Sequence, residues 1–142
     1  MSLNLLIKFR FSVASNSDWP PDKKAIPGTS EGTELFKHFN VNFAKLTLKC
    51  LKSSVPSEVP GIAFLSGGQS EFEATENLNL INKFNDTNFI MSYSYGRALQ
   101  QSALKFWSKN IQNIEGTQKV FNHRAKMNTL AAQGKWSKDL EI

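Results

Sequence analysis

Leu5, Ile7, Phe9, Phe11 and Val13 alternate with Leu6, Lys8, Arg10, Ser12 and Ala14. A period of two sends alternate side chains to opposite faces of an extended chain, so this stretch predicts a strand with one apolar face. From Ser15 to Gly32 the pattern dissolves into Pro20, Pro21, Pro27, Gly28 and Gly32, which predicts a loop or linker. At Glu34 the period lengthens. Phe36, Phe39, Phe43, Leu46 and Cys50 follow at spacings of three and four, one face of an α-helix. Pro56 disfavours helical backbone at Val55, so this helix should stop near Ser53 or Ser54.

Gly61 to Leu65 is a short apolar run without alternation, as expected of a strand covered on both faces. Ser70 and Glu73 form a capping box, in which each side chain satisfies an N–H that the first helical turn leaves free. The helix it opens carries Ala74, Leu78 and Ile81 on its buried face and ends near Lys83 or Phe84. Phe89 to Ser94 predicts another strand, Tyr95 to Arg97 a turn, and Ala98 to Lys109 a helix with Leu99, Ala103 and Phe106 on one face. A last helix, about Asn113 to Gln133, sets Ile114, Thr117, Phe121, Ala125 and Ala132 in register, with Gly134 as its cap. Strands alternating with helices predict an α/β fold with parallel pairing and right-handed crossovers.

That topology has a chemical consequence. Parallel neighbours end on the same edge, so "SGGQ" (Ser66 to Gln69) and "SYGR" (Ser94 to Arg97) should come together. Ser66 and Ser94 bring hydroxyls, Gly67, Gly68 and Gly96 let backbone N–H groups approach a ligand, and Arg97 offers paired planar donors. These are the parts of a phosphate cup at the start of a helix. The plainer alternative is that the glycines only make tight strand-to-helix turns.

The net charge of +5, from 17 Lys and Arg against 12 Asp and Glu, suits an anionic small molecule or polyanion. The basic residues are scattered, with a local excess at Lys8, Arg10, Lys23 and Lys24. No block of five or six like charges marks a nucleic-acid arm, so nucleic acid is not expected as a partner. No apolar run approaches the ~18 residues of a membrane span, and no membrane partner is expected. The first seventeen residues hold no acid, which echoes an organelle transit peptide, but the expected location is cytoplasmic. Cys50 is the only cysteine, which excludes an internal disulfide and a cysteine metal cluster, and it reads as a small core residue. His38 and His123 fall on different helices without a ligand partner, so no metal site is expected. Glu71 and Glu73 fit a capping box and a helix dipole better than a catalytic pair.

"VPGIAFLSGGQSEFEATENLNLINK" (Val59 to Lys83) and "SYGRALQQSALKFW" (Ser94 to Trp107) closely resemble the C-terminal part of class I fructose-bisphosphate aldolases, and Arg124 to Trp136 continues the resemblance in order. The resemblance implies the C-terminal portion of a (β/α)8 TIM barrel, with parallel strands and outer helices. A complete barrel needs roughly 250 residues, and this chain has 142. Residues 1–33 are then a divergent strand and linker, and 34–142 the barrel part. The family cleaves fructose 1,6-bisphosphate to two triose phosphates through a lysine Schiff base, without cofactor or metal. The resemblance implies that Ser66, Gly67 and Gly68 follow the seventh strand, that Ser94, Gly96 and Arg97 follow the eighth, and that both loops grip a substrate phosphate. The family's lysine motif, Leu-Leu-Lys-Pro-Asn-Met, is only approximated by "LLIKFRF", which makes Lys8 the candidate for the imine lysine. The acid/base carboxylates belong to the first five strands, which this chain lacks. The expected partners are a sugar bisphosphate and either further copies of the chain or the missing half of the barrel. The alternative function is an inactive remnant that at most binds a sugar phosphate.

Overall fold

The computed structural model describes residues 6–10 and 30–141, with side chains described from Val41 onward. Strand β1 (Leu6–Arg10) and helix α1 (Ser30–Ser54) are followed by β2 (Gly61–Leu65), α2 (Glu71–Lys83) and β3 (Ile90–Tyr93). Two helices, α3 (Arg97–Lys109) and α4 (Ile114–Ala132), and a 3-10 turn (Lys138–Leu140) complete the described residues. The strands form one sheet in the order β1-β2-β3, parallel throughout, with Ile7 beside Ile62 and Phe64 beside Tyr93. Parallel neighbours cannot be joined by a hairpin, so a helical crossover lies between β2 and β3, and α1 lies between β1 and β2.

Ile62, Ala63 and Phe64 are all buried, as the unbroken apolar run of β2 requires. Ile62, Phe64 and Met91 meet Leu78 and Ile81 of α2, and Leu48 and Leu51 of α1 extend the same core. At α2 the capping box forms: the Glu73 N–H donates to Ser70 Oγ at 3.3 Å and the Ser70 N–H to Glu73 Oε2 at 2.9 Å. Helix α4 ends in a Schellman motif, with the Gly134 N–H on Ala131 O at 3.0 Å and the Lys135 N–H on Leu130 O at 2.9 Å. Gly134 takes φ 67, and a Cβ there would lie 3.2 Å from the backbone nitrogen of Lys83. Conformation and close approach both require glycine.

Two helix faces differ from expectation. On α1, Leu46 is 66 % exposed and Cys50 is exposed, while Ala44, Leu48 and Leu51, and Val55 just beyond the helix, are buried, and Phe43 packs partly buried against them. The helix carries two apolar stripes about one residue apart. The connection to β2 selects the one that continues into Val55 and Val59, both buried. Cys50 is therefore a surface residue, not part of the core. On α4, Arg124, Met127, Asn128 and Ala131 are buried and Ile114 is 64 % exposed. Two polar residues on the buried face conceal it from an apolar count. The displaced residues Ile114 and Phe121 line a groove of ≈ 760 Å³ with Leu104 and Trp107 of α3 on the outer surface.

Helix α1 also begins at Ser30, inside the stretch expected to be loop. Phe11, Val13 and the expected linker as far as Thr29, with Lys23 and Lys24, lie outside the described residues. The side chains of Lys8, Phe36, His38 and Phe39 do so as well.

Candidate functional site

The β2–β3 ladder continues one step past the strands, with the Ser94 N–H donating to Phe64 O at 2.8 Å. Neighbouring strands run about 4.8 Å apart, so the loops beginning at Ser66 and Ser94 leave the same edge side by side. In the first loop Gly67 takes φ 63 and Gly68 φ 97, both in the left-handed region that favours glycine. The Gln69 N–H closes the turn on Ser66 O at 3.0 Å. A Cβ at Gly68 would meet nothing within 4 Å, so backbone conformation, and not crowding, calls for the glycine. Gln69 buries both polar atoms of its amide without a hydrogen-bond partner among the described residues.

The two helix starts at this edge are built differently. At α2, Ser70 and Glu73 satisfy each other's N–H groups and the first turn carries two acids, Glu71 and Glu73. At α3, the cap residue is Gly96, with no side-chain cap bond and no acid in the first turn. Gly96 O accepts the N–H groups of Leu99 at 3.0 Å and Gln100 at 3.2 Å, and a Cβ at Gly96 would meet nothing within 4 Å. The first helical residue is Arg97, and its side chain is exposed. A cation there opposes the helix dipole, typically by about 0.3–1 kcal/mol. An anion seated between the loops would reverse that sign.

Tyr95 anchors the second loop. It is buried against Ala74 and Ala98, with Tyr93 and Leu99 packed around them, and its hydroxyl donates to Ala74 O of α2 at 2.8 Å. Burial holds its phenol well above the usual tyrosine range. Glu71 is buried too. It accepts from the Ser102 backbone N–H at 2.9 Å and from the Ser102 hydroxyl, so it links α2 to α3. The capping box uses Glu73 alone.

Ser66, Gly67, Gly68, Ser94 and Gly96 thus fall on two adjacent loops, and Arg97 on the first position of α3 directly after the second. Lys8 pairs with Ala63, and Ala63 with Ser92, so the three share one row across the sheet. That row is three residues before Ser66, or about 10 Å along the strand. His123 lies 3.5 Å from Glu141, and no group of three or more potential metal ligands occurs among the described residues. Tyr95 and Glu71 were not foreseen as parts of the site. The only signal in the sequence was an aromatic residue inside a polar loop.

A family model described as fructose-bisphosphate aldolase class-I matches residues 26–141. The chain belongs to the class-I fructose-bisphosphate aldolase family. It is 51 % identical over 94 residues to a probable fructose-bisphosphate aldolase class 1 of Xylella fastidiosa, a match that covers 66 % of this chain and 28 % of that protein. A cytosolic fructose-bisphosphate aldolase of Arabidopsis thaliana is 43 % identical over 117 residues, covering 82 % of this chain and 29 % of the relative. Among solved structures, the aldolase of Plasmodium falciparum, in complex with TRAP and a small-molecule inhibitor, superposes with a TM-score of 0.72 at 34 % identity. That match covers 93 % of this chain and 33 % of the other. The chain thus spans between a quarter and a third of the length of these aldolases. Its parallel strands and outer helices are a portion of the aldolase barrel. No helix among the described residues is long and apolar enough to cross a membrane.

Proposed function

We propose that the two loops bind the phosphate of a sugar phosphate such as fructose 1,6-bisphosphate, and that this grip is the chain's part in an aldolase-type carbon–carbon cleavage. The start of α3 carries the proposal: a helix N-terminus with no side-chain cap, no acid and an exposed Arg97, next to two left-handed glycines. Backbone N–H groups of the Ser66–Gly68 turn would take one side of the anion, and Arg97 the other, with the Ser66 and Ser94 hydroxyls as further donors. Lys8 is the proposed imine lysine, for it shares a row with Ala63 and Ser92 about 10 Å along the strands from that edge. An imine would stabilise the carbanion left by bond cleavage, while the phosphate grip holds the substrate in line. In the family the proton-transfer carboxylates belong to strands other than these three, so we propose that the 142 residues alone bind without turnover. The cytosolic description of the Arabidopsis relative supports a cytoplasmic location. The outer edges of β1 and β3, unpaired among the described residues, favour a partner that continues the sheet.

The test is a titration of the folded chain with dihydroxyacetone phosphate at fixed ionic strength. Arg97→Ala is expected to weaken binding by about 1.5–3 kcal/mol, roughly ten- to a hundred-fold. Arg97→Lys should restore only part of the loss, because an ammonium keeps the charge and loses the planar fork. Equal affinities for wild type and Arg97→Ala would show that the loop is only a turn.

A further inference from the structure

We propose that Glu71 is a positioning residue that sets the second phosphate loop against the first through its hydrogen bonds to Ser102. The proposal rests on the sugar-phosphate reading of the two loops. A buried carboxylate is costly unless its oxygens are satisfied. Glu71 has this satisfaction from one residue of the neighbouring helix: the Ser102 N–H meets Oε1 at 2.9 Å and the Ser102 hydroxyl meets Oε2. It stands at the first helical position of α2, directly after the capped Ser70, and Ser102 stands five residues after Arg97 in α3.

One turn further along α2, Ala74 O receives the Tyr95 hydroxyl. Two polar ties three residues apart on α2 therefore hold Tyr95 and Ser102, one on each side of Gly96 and Arg97. Between them the buried side chains of Ala74, Ala98 and Tyr95 close the gap with small groups and one ring. Gly96 and Arg97 themselves are exposed, and nothing stands over Gly96 within 4 Å of a Cβ position. The placement of Arg97 relative to Gly67 and Gly68 is thus inherited from its neighbours. Glu71 is buried and fully engaged, so it acts on the ligand through the position of Arg97 and not as an acid or base.

The experiment measures binding of inorganic phosphate to the full chain by titration, together with backbone amide shifts of Gly67, Gly68, Gly96 and Arg97 in ligand-free protein. Glu71→Ala is expected to lower phosphate affinity about tenfold, and the Arg97→Ala loss should shrink in the Glu71→Ala background, as expected of coupled residues. Glu71→Gln keeps an acceptor for the Ser102 N–H and an amide for its hydroxyl, and should recover most of the affinity. A role in stability alone would lower the unfolding midpoint and leave the affinity of the folded fraction unchanged, which would overturn the proposal. A purely electrostatic role would make both Glu71→Ala and Glu71→Gln bind phosphate more tightly, and that result would overturn it too. If wild type binds no phosphate, the cup reading fails separately, and the tie is judged by the amide shifts: displaced Gly96 and Arg97 signals in Glu71→Ala support it, unchanged ones refute it. Should Glu71→Ala not fold, Ser102→Ala removes one of the two bonds and is judged by the same shifts and affinities.

Discussion

Glu141→Ala tests a heavily bonded buried polar cluster. Arg124 donates through Nη1 to Glu141 Oε2 at 3.0 Å and through Nη2 to Oε1 at 2.6 Å, a two-pronged contact between side chains that are 5 % and 8 % exposed. The same carboxylate accepts the Trp136 indole N–H at 2.8 Å, while Nη2 also reaches Thr75 Oγ1 at 3.0 Å. The guanidinium lies 5.2 Å from the Phe72 ring centroid. Removing Glu141 leaves a buried cation with one hydroxyl and one ring for company. Breaking a buried pair in this way costs about 3–5 kcal/mol. Domains of this kind are stable by roughly 5–15 kcal/mol in all, so the loss is a large share. With a slope near 2 kcal/mol per molar, the urea midpoint followed by far-ultraviolet circular dichroism should fall by roughly 2 M. Arg124→Met should cost a similar amount, since it strands the carboxylate instead. The double variant Arg124→Met, Glu141→Ala removes both charges of the pair and should be more stable than the sum of the two losses predicts. A single-variant loss below about 1 kcal/mol, or strictly additive losses, would refute the view that this pair is desolvated and coupled.

The raised pKa of Tyr95 makes stability pH-dependent in one direction. The fold prefers the protonated phenol, so this contribution is fully present below the ordinary tyrosine value of about 10 and declines as pH rises above it, because the unfolded chain ionises first. Tyr95→Phe should flatten that part of the stability profile, and a phenolate absorbance titration that finds Tyr95 ionising at the ordinary value would contradict it. On α1, Leu48→Ala should cost about 2–5 kcal/mol in urea unfolding and Leu46→Ala within about 0.5 kcal/mol. The reverse order would restore the Phe43–Leu46–Cys50 face as the buried one.

The strands and α2 were legible because their signals are local and agree with each other. Gly61 to Leu65 is apolar on both faces and is buried on both. Ser70 and Glu73 mark a helix start at the position where one begins, and Ala74, Leu78 and Ile81 are the residues it buries. The faces of α1 and α4 were not legible. In α1, Phe43, Leu46 and Cys50 form a stripe at least as regular as the one that packs, yet of these Phe43 alone meets the core, and the path into Val55 and Val59 decides between the stripes. In α4 the buried face holds Arg124 and Asn128, which a hydropathy pattern assigns to solvent. Their partners are Glu141, seventeen residues from Arg124, and Thr75, fifty-three from Asn128. No window of sequence contains such a pair.

The site divides in the same way. Gly67 and Gly68 announce themselves because a left-handed backbone is a property of one residue, and Arg97 because charge is. Glu71 and Tyr95 do not, since their partners lie 31 and 21 residues away, at Ser102 and Ala74. A reading from sequence therefore credits both helix starts equally with anion binding, whereas the geometry does not. Helix α2 engages the Ser70 and Glu73 N–H groups in its own capping box and sets two acids in its first turn. Helix α3 has no side chain at its cap and a cation where the dipole disfavours one. In the proposed site the dipole contribution to an anion would then come mainly from α3, and the first loop would add the backbone N–H groups of its own turn. On the proposed reading Arg97, Gly67 and Gly68 are the dominant group, and the position of one loop relative to the other, which we propose Glu71 and Tyr95 hold, matters as much as the donors themselves.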